Sequence, residues 1–256
     1  MNGRLHEQWE ENAHAFSELI RNRGTPHHRF ILNPCVEGLL GDVRGRRLLD
    51  AGCGEGYLSR FYAAKGAIVM GLDISPKLIT AARGLTEDDL DVIYQTGDIC
   101  RLSEFEAESF DLVLCNLVLL NVSCLEDAMS EFHRVLVPGG DLVFSIVHPA
   151  FDFYGPGSWE LKSKNPETGR RVGLFFKMDK YYDEIEYERF WKTREGERFP
   201  RPFSFFHRTL STYLNTLLEV GFLLSSFREP RPRERGDFFE REDRIPFFAV
   251  FKARKS

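Results

Sequence analysis

The chain has 256 residues, of which 43% are hydrophobic and 29% charged, a balance suited to a folded domain of enzyme size. Its net charge of −5 argues against nucleic acid or an anionic membrane as the main partner. No apolar run approaches the roughly 18 residues of a membrane-spanning helix, so no membrane partner is expected.

Leu5, Trp9, Ala13, Phe16 and Leu19/Ile20 recur at helical spacing and predict an amphipathic helix over residues 5–22. Two readings stay open for it: packing on the core, or a lid over a ligand site. Gly24-Thr25-Pro26 breaks it, and a short helix over 34–40 leads to the first strand at 46–50. Residues 1–44 are set apart as an N-terminal helical lid, and 45–256 as the main domain.

Leu49-Asp50-Ala51-Gly52-Cys53-Gly54-Glu55-Gly56-Tyr57 reads as a strand end, a tight loop and a helix start. Glycines there permit positive φ and let a ligand approach the main chain. The N–H groups of a helix start favour an anionic group. A helix over 57–65 follows, then an apolar strand over 68–73 ending in Asp73. Ser75 is an N-cap with Pro76 behind it, opening a helix that runs to about Arg83. Residues 91–95 form a third strand that closes at Gly97-Asp98. Residues 110–116 form a fourth, nearly all apolar, as a strand covered on both faces requires. A helix over 125–136 ends before Pro138-Gly139-Gly140, and a fifth strand over 141–147 stops at His148-Pro149. This alternation predicts a parallel, doubly wound sheet.

The alternation stops at residue 150. Residues 150–208 hold Gly155-Pro156-Gly157, clustered aromatics and mixed charge, and read as an insertion too apolar for disorder. A helix over 209–220 resumes the domain and ends at Gly221, followed by strands at 222–227 and 245–252. The charged loop between them, 228–244, is expected to be a solvated surface.

In open α/β sheets ligands bind at the carboxyl ends of the strands. Here those ends carry Asp50 with Gly52, Gly54 and Gly56, then Asp73, Asp98, Asn116 and His148. Asp73 lies about 20 residues past the loop, the place of an acid that takes ribose hydroxyls. A nicotinamide or flavin dinucleotide enzyme is the competing reading, but its G-x-G-x-x-G is replaced by G-x-G-x-G, with Tyr57 where the third glycine would fall.

The loop motif resembles the first motif of the class I S-adenosylmethionine-dependent methyltransferases. Gly71-Leu72-Asp73-Ile74-Ser75 resembles their second-strand motif, and residues 110–116 their fourth. Arg134-Val135-Leu136-Val137-Pro138-Gly139-Gly140 is similar to the segment before their fifth strand. The resemblance covers 45–147 by motif and 209–252 by topology. It is nearest the small-molecule branch of ubiquinone-type (type 11) methyltransferases. It implies a Rossmann-like α/β fold whose seven-stranded sheet, with helices on both faces, places strand seven antiparallel between five and six. It implies S-adenosyl-L-methionine as cofactor, with S-adenosyl-L-homocysteine as product. Asp50 and the backbone of Gly52, Cys53 and Gly54 would hold the methionine end, with Tyr57 beside them. Asp73 would hold the ribose and Ile74 pack the adenine. Asp98, with Ile99 beside it, would accept from the adenine amino group. Asn116 and Leu117 would line the methionine side. The cofactor has no phosphate, so no diphosphate glycine is needed. Leu120-Asn121 departs from relatives that carry a histidine on that turn.

A hydroxyl or protonated amine acceptor must lose a proton, which suits a histidine poised near neutral pH. His148, at the mouth of the fifth strand, and His207, opening the helix after the insertion, are the candidate bases, though each is equally readable as a hydrogen-bonded structural histidine. His27 and His28 reach the cleft if the first helix is a lid, and His6, His14 and His133 are read as surface. The aromatics of the insertion, among them Phe153, Tyr154, Trp159 and Trp191, read as a satellite core, a pocket wall, or both.

The expected activity is methyl transfer to O, N or C of a small apolar or aromatic acceptor. The alternatives are transfer to a peptide terminus or tRNA, and cofactor binding without transfer. Residues 1–12 are polar and show no secretory signal, so a cytoplasmic location is expected. The five cysteines, Cys35, Cys53, Cys100, Cys115 and Cys124, lie at no metal-ligand spacing and are odd in number. They are expected to be free buried thiols, with no metal bound.

Overall fold

A computed structural model of the chain describes residues 3–21, 23–164, 166, 171–234 and 236–256. Residues 1 and 2 of the polar opening, residue 22 at the end of the expected first helix, residues 165 and 167–170 of the insertion, and residue 235 lie outside the described residues.

The parallel strands are β1 (Arg47–Ala51), β2 (Ile68–Asp73), β3 (Val92–Thr96), β4 (Phe110–Asn116) and β5 (Leu136–Val147). After the insertion come β10 (Phe222–Arg228) and β11 (Phe248–Lys255). They form one seven-stranded sheet in the order β10-β11-β5-β4-β1-β2-β3, with β11 antiparallel to both neighbours. This is the Rossmann-like methyltransferase topology. The helices are α1 (Gly3–Ile20), α2 (Asn33–Leu40), α3 (Tyr57–Ala63), α4 (Pro76–Leu85), α5 (Leu125–Val135) and α6 (Leu210–Glu219).

Side chains alternate across a strand, which divides the sheet's apolar residues between two cores. Leu49, Ala51, Val113, Cys115, Leu142 and Phe144 meet Met129 and Phe132 of α5 and Tyr213 and Leu217 of α6. Leu48, Leu112, Leu114 and Val143 meet Val36 and Leu40 of α2 and Leu58 and Tyr62 of α3. Since β1 and β4 are covered on both faces, their central residues, Leu48-Leu49 and Leu112-Val113-Leu114-Cys115, are apolar in succession.

Three features depart from expectation. Strand β5 begins at Leu136, which pairs with Phe110, and a register shift follows between Phe110 and Leu112. Pro138 offers no N–H to the ladder and Gly139 takes φ +75°, so the expected break is instead an irregularity within one strand. A π-helical turn, His28–Leu32, runs directly into α2. The expectation that all five cysteines are free is corrected: Cys100 and Cys124 form a disulfide, their Cα atoms 6.2 Å apart, while Cys35, Cys53 and Cys115 are free. The winding of the chain brings the loop after β3 beside the start of α5, a proximity that a separation of 24 residues does not reveal.

Residues 150–208 fold as two antiparallel hairpins, β6 (Gly157–Lys164) with β7 (Arg171–Met178), and β8 (Glu186–Arg189) with β9 (Phe203–Phe206). Phe199, Phe203 and Phe205 are fully buried and belong to the same core as Leu48 and Val143. The insertion therefore shares the domain's core and does not build a separate one.

Helix α1 lies across both parts. The Gln8 amide accepts from Ser204 N (3.1 Å) and donates to Ser204 Oγ (3.2 Å). One turn on, Asn12 donates to Arg201 O and accepts from Arg201 N, each at 3.0 Å. On the far side of the helix, Glu10 accepts from Ser75 Oγ (2.6 Å) and Lys77 N (3.1 Å) at the start of α4. Among the described residues no helix is long and apolar enough to cross a membrane.

Asn12 is fully buried, and Asn12→Ala removes the hydrogen-bond partner of both main-chain groups of Arg201. The expected loss is about 1–3 kcal/mol of unfolding free energy, measured by denaturant titration. A change within a few tenths of a kcal/mol would show that the clamp carries no net stability.

Candidate functional site

The carboxyl ends of β1, β2, β3 and β4 converge on one cleft. Asp50, at the end of β1, is 2% exposed and accepts from Ser59 Oγ at 2.6 Å. The loop behind it places Gly52, Gly54 and Gly56 at φ +82°, +58° and +82°. A Cβ on Gly52 would lie 2.4 Å from Val118 Cγ2, so glycine serves there both for its conformation and for the space it leaves. The N–H groups of Gly52 and Cys53 donate to Leu72 O at 2.7 and 2.9 Å.

Asp73 completes the stitching of loop to strand. Its Oδ2 accepts from Gly54 N at 2.9 Å and its Oδ1 from Ser75 N at 3.0 Å. Burial pushes the Asp50 carboxyl up to about 7, against the Ser59 hydrogen bond and with the nearby Asp73 charge adding to it. Burial likewise pushes Asp73 up to about 6, opposed by the backbone N–H groups of Ser75, Gly54 and Ile74. Asp98 Oδ1 accepts from Cys100 N at 3.0 Å, and Asn116 Oδ1 from Ser145 Oγ at 2.7 Å. Leu117 takes φ +58°, with its N–H donating to Ser145 O and Oγ, both at 3.1 Å.

A cavity of 120 Å³ is lined by Asp50, Gly52, Cys53, Gly54, Tyr57, Asp73, Ile74, Asp98, Ile99, Asn116 and Leu117, which are all of the expected cofactor residues. Leu5, Trp9 and Phe16 of α1 line it too, as do His28, Val118 and Trp191. The amphipathic stripe of α1 was the sequence signal for its three residues, His28 was expected in the cleft only if α1 is a lid, Trp191 was expected in the insertion's core or pocket wall, and Val118 had no signal. A second cavity, of 610 Å³, meets the first at Ile20, His28, Leu117, Asn121 and Trp191, which line both. Its walls are aromatic: Phe153, Tyr154, Trp159, Phe190, Phe205, Phe247 and Phe248. Its polar lining is Thr25, His27, His28, Asn121, Ser158, Lys192, Arg241 and Glu242.

Neither His148 nor His207 lines these two cavities. His148 Nδ1 accepts from Ala150 N (3.2 Å) and its Nε2 lies 3.0 Å from Glu229. His207 Nδ1 is 3.1 Å from Asp152 and its Nε2 is 3.0 Å from Tyr181 O. Burial opposes charge on His207, but these bonds outweigh it and raise its pKa above the usual histidine value. Both rings are thus engaged at both nitrogens. The expectation also misses Glu242, because the loop around it was read as a solvated surface; Glu242 is 3% exposed. His28 Nδ1 lies 3.3 Å from Thr25 N and 2.8 Å from Thr25 Oγ1. Burial, with the neighbouring His27 adding to it, lowers its pKa to about 4.

Comparison with known proteins agrees with this geometry. The methyltransferase domain family matches residues 49–144. Over 106 residues the chain is 42% identical to the ubiquinone biosynthesis O-methyltransferase of Hahella chejuensis, covering 41% of this chain but only 44% of that protein. Over 269 residues it is 26% identical to an uncharacterized protein of Haemophilus influenzae, covering 100% of this chain and 99% of that one. An S-adenosylmethionine-dependent methyltransferase from Mesorhizobium loti shares its structure with a TM-score of 0.69 at 29% identity, covering 91% of this chain and all of that one. Residues 49–144 carry a methyltransferase domain, and the fold and relatives support a class I S-adenosylmethionine-dependent methyltransferase whose cofactor is S-adenosylmethionine.

Gly52 and Gly139 both hold positive φ, but a Cβ on Gly139 meets nothing within 4 Å. Alanine at either costs the left-handed strain of about 1–2 kcal/mol. Gly52→Ala should cost more than Gly139→Ala in thermal unfolding, because it also crowds Val118; equal losses would show that Val118 yields.

Proposed function

We propose that this methyltransferase acts on a small aromatic or apolar molecule held in the 610 Å³ cavity. The observation that carries the reading is the junction of two unlike cavities, one bordered by strand-end carboxylates and the other by aromatic rings. The second is of the size that small-molecule sites usually have. The likeness to an O-methyltransferase favours oxygen as the methylated atom.

On this reading the donor lies along the strand ends. Asp50 and the backbone of Gly52, Cys53 and Gly54 hold its amino-acid end near Tyr57. Asp73 takes the ribose hydroxyls, Ile74 and Ile99 flank the adenine, and Asp98 accepts from the adenine amino group. The three left-handed glycines and the row of acids, Asp50, Asp73 and Asp98, fit a cofactor that carries no phosphate. S-adenosylmethionine supplies a methyl group already activated on a sulfonium. What remains for the chain is positioning, exclusion of water and removal of a proton from the acceptor. Trp9, Phe16 and Ile20 make α1 a lid over the donor, and Trp191 divides donor from acceptor. His28, neutral at the junction, orients the acceptor as a hydrogen-bond partner and adds no charge.

Asp73→Ala should weaken S-adenosylhomocysteine binding by about 1.5–3 kcal/mol, the scale of a hydrogen bond to a charged group. Calorimetry showing unchanged affinity would refute the ribose role. Asp50 and Asp73 both bind the ligand's donors better when ionised, and both titrate above the usual carboxylate range in the free chain. Affinity should therefore be weak near about pH 5, tighten as pH rises through the window from about 6 to about 7, and level off above it. Flat affinity across that window would contradict the assignment. For the acceptor, a screen of hydroxylated and amino aromatics with labelled methyl donor should find a methylated product. A chain that binds the cofactor tightly yet labels none of them would overturn the small-aromatic reading.

A further inference from the structure

We infer that His27, oriented by Glu242, is the base that takes the proton from a hydroxyl on an aromatic acceptor, an assignment that rests on the acceptor cavity proposed above. His27 lines that cavity and retains 31% side-chain exposure. Its ring lies nearly parallel to Phe247 (7°, centroids 6.1 Å apart) and edge-on to Phe239 (89°, 5.9 Å). Packing therefore fixes the imidazole plane.

The carboxylate fixes the tautomer. Glu242 Oε1 is 2.7 Å from His27 Nε2. Burial works against the Glu242 charge, but the hydrogen bonds from His27 and from its own backbone N–H hold it below the usual carboxylate range, with Arg241 assisting. An ionised carboxylate only accepts, so Nε2 carries the proton and Nδ1 keeps its lone pair. Glu242 Oε2 is buried without a hydrogen-bond partner, so His27 is the one side chain hydrogen-bonded to this carboxylate among the described residues. A buried carboxylate whose one side-chain partner is His27 directs its stabilisation at a positive charge forming on that ring.

The other histidines lack this combination. His148 and His207 use both nitrogens elsewhere. His28 accepts at Nδ1 from Thr25, which leaves its proton on Nε2 and makes it a donor toward a ligand. On His27 the chemistry balances simply. The acceptor's O–H proton moves to Nδ1, the O–H electron pair stays on oxygen as the nucleophilic pair, and the imidazolium so formed lies against the Glu242 carboxylate. Aromatic walls suit the ring that carries the hydroxyl, and because an aryl hydroxyl is a weaker acid than imidazolium, its proton passes to Nδ1 only as the oxygen becomes bonded to the methyl group.

The test uses 4-nitrophenol, whose ionised form absorbs in the visible, added to the full chain holding S-adenosylhomocysteine, at a pH about one unit below the probe's own pKa. In the wild type, the phenolate-to-phenol ratio of the bound probe should exceed that of the free probe by about tenfold, the effect of a neighbouring opposite charge. His27→Gln should return the ratio to the free-probe value, and Glu242→Gln should bring it part of the way. Thermal unfolding and cofactor-product affinity establish that each variant is folded. Equal phenolate ratios in wild type and His27→Gln would overturn the assignment, as would a wild-type ratio no higher than in solution. Failure of the probe to bind a wild type that binds S-adenosylhomocysteine would overturn the aryl-hydroxyl class. Failure to bind S-adenosylhomocysteine would instead overturn the donor-site reading, and the probe's absorbance without that ligand then decides the role of His27 separately.

Discussion

Asp50 and Asp73 are carboxyl groups buried at the ends of adjacent parallel strands, and neither is joined by a side-chain ion pair among the described residues. Burying them is unfavourable, which is why both titrate high. Short-range donors offset part of the cost: the Ser59 hydroxyl for Asp50, and the N–H groups of Gly54 and Ser75 for Asp73. The same bonds shape the site. By accepting from Gly54, Asp73 ties the loop after β1 to the end of β2, while Leu72 O holds Gly52 and Cys53. The sheet's twist and register thus reach the loop through hydrogen bonds, and acceptor capacity remains for a polar ligand's hydroxyl and amino groups.

Helix α1 carries this arrangement into the rest of the molecule. Glu10 binds the start of α4, next to Asp73, while Gln8 and Asn12 bind the backbone of the insertion at Ser204 and Arg201. Between these anchors, Trp9 and Phe16 cover the glycine loop, and Trp9 lies edge-on to Trp191 at 6.4 Å. One helix therefore borders the smaller cavity and braces the wall of the larger one. Any movement of α1 breaks its hydrogen bonds to Arg201 and Ser204, so the walls of the two cavities are mechanically joined.

The parallel sheet and the row of strand-end acids were legible in the sequence because both follow from local rules. Strands buried on both faces are apolar throughout, and polar residues then mark where such strands end. The hairpins of the insertion were hidden because strands such as β7 carry large apolar residues on successive positions, Leu174, Phe175 and Phe176, which erases the two-residue alternation. The Cys100–Cys124 bond and the His27–Glu242 pair join residues far apart in the chain, and no local pattern encodes that. Strand-end position singled out His148, yet the turn after β5 directs its ring to Ala150 and Glu229, away from the cleft. Glu242 sits in a run of charge whose composition is that of a solvated surface. It is buried because Phe239 and Phe247 around it close onto the core.

The central claim, that the strand-end acids hold the nucleoside and the junction presents the reacting atom to the aromatic cavity, is tested most directly by a crystal structure of the chain with S-adenosylhomocysteine. Its ribose hydroxyls should lie within hydrogen-bond distance of Asp73 and its adenine amino group within that distance of Asp98, with the sulfur facing the opening bounded by His28, Leu117, Asn121 and Trp191. A ligand bound with its ribose away from Asp73, or with its sulfur turned from that opening, would contradict it.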